Sequence, residues 1–350
     1  MTKKTDKQYF FGLDSFGDLA TNDDGTLTSY AEALRLVVDE AILADKLGVD
    51  SIALGEHHRE EYAISSPEMV LAGIATKTKN IKLASGVTVL SSDDPVRVFE
   101  RFATLDGISN GRAQVILGRG SFTESFPLFG YDMKDYELLF EEKIELFHKL
   151  LKEEPVTWEG KTRAALDNAD VFPKTENGLQ TYVGVGGSPN SIVRAAAYGF
   201  PVVLAIIGGN PDRFKPYVEL YERAAKEFGN ENHPVGMHSP GYIADTDDQA
   251  IEEAFPLFKE AMDKVGKTRG WQPMTKQHFL NEVKFGSMYV GSSETVAKKI
   301  ARAMSRLGVN RFDLVYGFGP VKASARKHMI ELYGNEVIPR VRELLAEEAK

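Results

Sequence analysis

The chain has 350 residues, 43% hydrophobic and 27% charged, which is enough apolar content for a large core and excludes a disordered chain. Lys+Arg of 42 against Asp+Glu of 51 leaves a net charge of −9, which argues against non-specific binding to nucleic acid or anionic membrane. There are no cysteines, so disulfides, thiolate nucleophiles, iron–sulfur clusters and cysteine-based zinc sites are excluded.

The lysine-rich start, Met1–Gln8, has no apolar run behind it, and the most apolar stretch, Pro201–Gly209, is too short to span a bilayer. The expectation is a soluble cytoplasmic protein. Tyr9–Asp14 reads as a first strand, and Ser29–Glu32 is a capping box opening a helix whose apolar stripe runs from Leu34 to Leu47 and stops at Gly48. Ser51–Gly55 is a second strand and Ser66-Pro67 a helix start, since proline at the first helical position loses nothing. Ile81–Leu90 reads as one long third strand, followed by a helix from Asp94-Pro95. The turn Ser109-Asn110-Gly111 leads into a fourth strand, Ala113–Leu117, and a helix from Asp135 to Leu151.

Residues 155–180 break the rhythm as a polar, proline-containing excursion. It resumes with Thr181–Gly186, a helix from Ser188-Pro189, the strand Val202–Ile207 and a helix from Asn210-Pro211. A seventh strand falls at Val235–Ala244, a helix follows Asp247, and residues 265–286 read as irregular. Ser293–Leu307 is a helix, Phe312–Tyr316 the eighth strand, and the C-terminus is helical. Strands without polar alternation, each followed by a helix, indicate a parallel sheet covered on both faces. Eight such units predict an α/β fold of the (β/α)8 TIM barrel type, one domain with insertions at 155–180 and 265–286.

In such a barrel the working residues lie just past the C-terminal ends of the strands. That rule selects Glu56-His57-His58, Gly118-Arg119-Gly120 and Gly184–Ser191, with Gly86-Val87 inside the third strand as a place where backbone comes close to something. In Gly187-Ser188-Pro189-Asn190-Ser191, small residues, two hydroxyls and a helix N-terminus make a cup for a terminal phosphate. The same residues also make an ordinary serine-capped turn. Arg119 between two glycines suits a phosphate or a planar ring, and on its own reads first as a surface arginine in a salt bridge. His57 and His58, adjacent on a strand, point to opposite sides and chelate one ion poorly, so no metal is expected. A single histidine, His57, fits a general base with Glu56 fixing its tautomer; it fits a packed rim residue as well. The segment 265–286, with Arg269-Gly270-Trp271, reads either as a lid over the mouth or as a surface loop.

The stretches Leu54-Gly55-Glu56-His57-His58, Asp94-Pro95-Val96-Arg97, Ser109-Asn110-Gly111-Arg112, Gly118-Arg119-Gly120 with Phe129-Gly130-Tyr131-Asp132, and Gly187-Ser188 through Tyr198-Gly199-Phe200-Pro201 occur in a shared order and spacing. On them the chain resembles the bacterial luciferase-like superfamily of flavin-dependent monooxygenases over nearly its whole length. The resemblance implies a (β/α)8 barrel that binds reduced FMN as co-substrate, or in some relatives a deazaflavin coenzyme, at the C-terminal mouth. It implies that Ser188 and Ser191 hold the flavin phosphate with Arg119 beside it, that His57 is the catalytic base, and that Gly86-Val87 is a cis peptide by the ring system. It implies also that 265–286 is a mobile loop, that a flavin reductase supplies the reduced cofactor, and that the protein is a homodimer acting on a small-molecule substrate.

The chain departs from the luciferase α pattern at three of these positions. Gly118 stands for a cysteine, Gly187 for a glutamate and Glu137 for a second phosphate-side arginine, which puts light emission and long-chain aldehyde specificity in doubt. The rival expectations are deazaflavin-dependent hydride transfer and a flavin-binding protein without turnover.

Overall fold

The computed structural model describes residues 9–120, 122–230 and 233–348, so the expectation placed on Met1–Gln8 lies outside the described residues. In chain order the strands are β1 Phe10–Ser15, β2 Ser51–Leu54, β3 Lys82–Ser85, β4 Thr88–Val89, β5 Ala113–Gly118, β6 Val156–Trp158, β7 Leu166–Ala169, β8 Gln180–Val185, β9 Val202–Ala205, β10 Val235–Ile243, β11 Tyr289–Gly291 and β12 Arg311–Val315. Parallel pairing runs β1-β2-β3-β5-β8-β9-β10-β12 and returns to β1, with Gly12 opposite both Ser51 and Asp313. The barrel is closed, an eight-stranded (β/α)8 architecture.

Helices α1 Tyr30–Lys46, α2 Pro67–Ala75, α3 Pro95–Ser109, α4 Ser125–Leu128, α5 Tyr136–Leu150, α6 Pro189–Ala197 and α7 Lys215–Glu227 cover the outside, as do α8 Asp247–Arg269, α9 Lys276–Phe285, α10 Ser293–Leu307, α11 Ala323–Leu332 and α12 Ile338–Glu348. The capping box at Ser29 forms as expected: Glu32 N–H donates to the serine hydroxyl and Ser29 N–H to the Glu32 carboxylate at 2.8 Å. Outward-facing Phe11, Leu13, Ile52, Leu83 and Val115 meet the helices and are fully buried.

Three expectations need correction. The strands are not uniformly apolar: their inner faces carry a polar layer at the bottom of the barrel. There Arg311 donates to Asp313 at 2.7 Å and to Gln114 at 3.0 Å, and Gln114 donates to Gln180 at 2.6 Å. Each polar group finds a partner within the layer, which is what makes its burial tolerable. Second, the long third strand is broken, because the Gly86-Val87 peptide is cis and separates β3 from β4. Third, residues 265–286 are mostly helical. Helix α8 continues to Arg269, Met274 N–H donates to Asp263 at 2.6 Å, and α9 follows. The excursion at 155–180 carries the antiparallel hairpin β6–β7, and the short β11 extends the end of β10. Among the described residues no helix is long and apolar enough to cross a membrane.

Candidate functional site

The floor of the barrel mouth is built around Val87. Gly86 N–H donates to Leu54 O at 2.7 Å and Glu56 N–H to Val87 O at 3.3 Å, which ties the cis segment to the end of β2. The Val87 side chain packs on Ile116, Tyr182 and Val203, closing the barrel interior from above. A Cβ on Gly184 would lie 2.8 Å from Val87 Cγ1, and one on Gly118 would overlap the same side chain. The space beside Gly118, which sequence reasoning offered to a ligand, therefore belongs to Val87.

The Glu56-His57-His58 run splits into two unrelated environments. Glu56 accepts from Val89 N–H at 2.7 Å through one oxygen and pairs with the His58 ring at 2.9 Å through the other. The carboxylate expected to orient His57 thus orients His58. His57 instead stacks on Tyr62, ring centroids 4.3 Å apart, with Phe16 at 5.2 Å and Phe122 at 5.5 Å. Burial in this aromatic cage, together with the neighbouring His58, pushes its pKa down to about 3, against the pull of a hydrogen bond to the Phe16 backbone. His57 is neutral at physiological pH, and its buried Nδ1 has no partner.

Above the cage, Arg59 donates to Glu61 at 3.0 Å and to Glu124, and Lys264 of α8 pairs with Glu61 at 3.1 Å. Burial alone would raise the Glu61 carboxyl, but the hydrogen bonds from Arg59 and Lys264 lower it to about 2. The elements that line this side of the mouth are thereby held to α8.

The anion-binding candidates converge at the start of α6. Gly187, at φ +108°, turns the chain into the helix, a conformation other residues rarely adopt. Ser188 is the N-cap residue, yet its hydroxyl makes no cap bond. Ser191, 5% exposed, accepts from Arg119 Nη2 at 3.2 Å. Arg119 Nη1 also donates to Glu137 at 2.5 Å, and Arg119 lies over the Tyr136 ring at 5.3 Å. One turn beyond Ser191, Arg194 pairs with Glu141 and stands 3.6 Å from Glu137, while its buried Nη1 has no partner. The structure thus brings Gly187, Ser188, Ser191 and Arg119 together, separate from the cage of His57.

Sequence reasoning missed three residues here. Arg194 lies on the same helical face as Ser191, three positions along, so the spacing carried the signal. Asp14 is a carboxylate one residue before the end of a mostly apolar strand, and His238 sits mid-strand in β10. The two are 224 residues apart in sequence, yet His238 Nδ1 is 2.7 Å from Asp14 Oδ2. Only barrel closure reveals that contact.

A family model described as luciferase-like monooxygenase matches residues 15–311. The alkanal monooxygenase alpha chain of Photorhabdus luminescens is 28% identical over 246 residues, covering 68% of this chain and 65% of that one, just under two thirds of the relative's length. Among solved structures, the oxygenating constituent of 3,6-diketocamphane monooxygenase from Pseudomonas putida, in complex with FMN, superposes with a TM-score of 0.75 at 23% identity, covering 95% of this chain and 99% of that one. An F420-dependent secondary alcohol dehydrogenase, in complex with an F420–acetone adduct, superposes with a TM-score of 0.74 at 21% identity, covering 96% and 99%. The structural likenesses are statements about fold, whereas the family match spans most of the sequence together with the mouth and the anion end described above. This chain belongs to the luciferase-like monooxygenase family.

Proposed function

We propose that this protein is a flavin-dependent oxidoreductase: a monooxygenase that uses reduced FMN and dioxygen on a small organic substrate, with the reduced flavin supplied by a separate reductase. The observation that carries the reading is the set of unsatisfied or redirected donors at the start of α6. Ser188 has a hydroxyl released from capping, the Ser191 hydroxyl is bonded to Arg119, Arg194 has a buried unpartnered Nη1, and, with Pro189 lacking an N–H and the Ser191 and Ile192 amides bonded to Ser188 O, the helix end adds the Asn190 amide. A phosphate would satisfy all of them with charge-assisted hydrogen bonds, whereas a capping role leaves Ser188 unexplained. Ser188, Ser191 and Arg119 would hold the FMN phosphate, and Gly86 and Val87 would support the ring system.

Bound there, the flavin supplies the redox chemistry with dioxygen that no side chain of this protein provides. The protein's own residues bind, orient and exclude water. His57, kept neutral by its cage, adds no charge to the mouth, and with its proton on Nε2 the buried, unpartnered Nδ1 would be an acceptor. Phe16, Tyr62 and Phe122 keep that acceptor away from bulk water, where it would be satisfied by solvent. Glu56 fixes the turn after β2 by holding Val89 N–H and His58.

Oxygen uptake by the purified protein with reduced FMN, read together with product analysis over a panel of small organic substrates, tests this reading. Substrate-dependent incorporation of an oxygen atom is expected. Turnover under strict anaerobiosis with a deazaflavin would overturn it in favour of hydride transfer. Tight FMN binding without any turnover would leave a flavin-binding protein.

A further inference from the structure

We propose that Asp14 and His238 form a proton-handling pair at the barrel mouth, in which His238 is the base toward a substrate hydroxyl or N–H group and Asp14 is its positioning residue. The inference rests on the flavin reading only for the identity of the neighbouring ligand. Its geometry comes from the last residues of β1, the cis segment after β3 and the middle of β10. Asp14 lies at the C-terminal end of β1, with its side chain 2% exposed, and Gly86 of the cis segment is its neighbour: a Cβ built there would be 3.3 Å from both carboxylate oxygens. His238 reaches Asp14 from β10 through Nδ1 at 2.7 Å and keeps 12% of its side chain accessible. The ring of Phe16 stands between the two histidines of the mouth, 6.2 Å from His238 and 5.2 Å from His57.

This arrangement divides labour between the histidines. His57 is enclosed by aromatic rings and has no carboxylate partner, so it is poorly suited to carrying a proton as imidazolium. His238 has a carboxylate on Nδ1, which orients the ring and, with Nδ1 as the donor, leaves the lone pair on Nε2. Burial pushes the Asp14 carboxyl above the usual carboxylate range, and the hydrogen bond with His238 offsets only part of that rise. Among the described residues, the other charges acting on Asp14 are Asp313 and Arg311, one layer below in the barrel, with opposite effects. The remaining carboxylate oxygen, Asp14 Oδ1, is buried without a partner. A purely structural ion pair gains nothing from leaving a buried acceptor orphaned, which is the mark of an incomplete site.

In the step assigned to the pair, a proton leaves a substrate oxygen or nitrogen for His238 Nε2. The electron pair of the broken bond stays on the substrate and no electron is exchanged. An apolar hydrocarbon offers the pair no proton, so the inference points to substrates that carry a hydroxyl or N–H near the reacting centre.

The test is carbethoxylation of the full-length protein by diethyl pyrocarbonate, read histidine by histidine by mass spectrometry, with and without saturating oxidised FMN. The exposed His278, with 61% of its side chain accessible, serves as internal reference. His238 is expected to react, FMN to slow it at least about tenfold while leaving His278 unchanged, and Asp14→Asn to slow it by a similar factor because the amide favours the wrong tautomer. Nitrogen NMR of the histidine rings is expected to show the Nδ1–H form of His238 in the wild type. His238→Gln, compared by thermal melting, checks that the fold survives loss of the ring.

An inert His238, an Nε2–H tautomer, or an unchanged rate in Asp14→Asn would overturn the pairing. FMN that binds without protecting His238 would overturn its placement at the mouth. Absence of FMN binding, with His238 reactivity still dependent on Asp14, would instead remove the flavin reading and leave the pair standing.

Discussion

Glu137 offers a quantitative test of the anion end. Its carboxylate accepts from Arg119 at 2.5 Å and stands 3.6 Å from Arg194, so it occupies the cationic groups that a flavin phosphate would use. With its side chain 63% exposed, the pair belongs to the solvent-screened class, worth roughly 0.2–1 kcal/mol. Releasing Arg119 by Glu137→Gln is therefore expected to tighten FMN by no more than about fivefold, because 1.4 kcal/mol is a factor of about ten. Glu137→Arg adds a cation as well and is expected to exceed that gain. Riboflavin, which lacks the phosphate, is expected to bind all three proteins alike. Titration by quenching of flavin fluorescence, at low and at high salt, reads these differences, and the Glu137 effect should shrink as salt rises. Weaker FMN binding in Glu137→Gln, or an equal shift for riboflavin, would refute the placement of the phosphate beside Arg119.

Further outcomes follow from other parts of the site. Ser188→Ala combined with Ser191→Ala is expected to weaken FMN but not riboflavin, each hydroxyl bond to a charged phosphate contributing roughly 1.5–3 kcal/mol. Parallel titrations of the two flavins check it. Gly118→Ala is expected to destabilise by about 1–3 kcal/mol, since the added methyl overlaps Val87. Urea unfolding measures that loss, and Val87→Ala in the same chain should recover part of it.

His57, held at about 3 when folded against its ordinary value of 6.5, takes a proton in the unfolded chain first. Its contribution is fully present above pH 6.5 and is lost as pH falls towards 3, at about 1.4 kcal/mol per pH unit. Asp18, raised by burial to about 7, acts oppositely over an overlapping range, so the whole-protein profile is partly flattened. The difference between wild type and His57→Phe isolates the histidine. From pH 7 down to pH 4, urea unfolding should show the wild type losing stability relative to His57→Phe, and parallel profiles would contradict the cage.

Much of the barrel was legible because its signals are local. The Ser29–Glu32 capping box, proline at the first turn of α2, α3 and α6, and the turn at Asn110, with φ +57°, mark element boundaries that the structure keeps within a residue or two. The anion end was legible for the same reason, since Gly187, Ser188 and Ser191 lie on one turn. What escaped depends on closure. Gln114, Gln180, Arg311 and Asp313 look like scattered polar residues until the strands are rolled into a barrel and they become one layer. The partner of Asp14 is 224 residues away. A separate, local miss is Glu56, whose partner is His58 rather than His57. Residues 265–286 were misread because Gly266, Gly270 and Pro273 suggest a loop. In the fold Trp271 N–H closes on Gly266 O at 3.0 Å just after α8 ends, and Thr275 caps α9.

The most direct measurement is equilibrium titration of the purified protein with FMN, riboflavin and the deazaflavin cofactor. Saturable binding of FMN, clearly tighter than that of riboflavin and lost with Ser191, is the predicted result. No saturable association with any of the three would contradict the account.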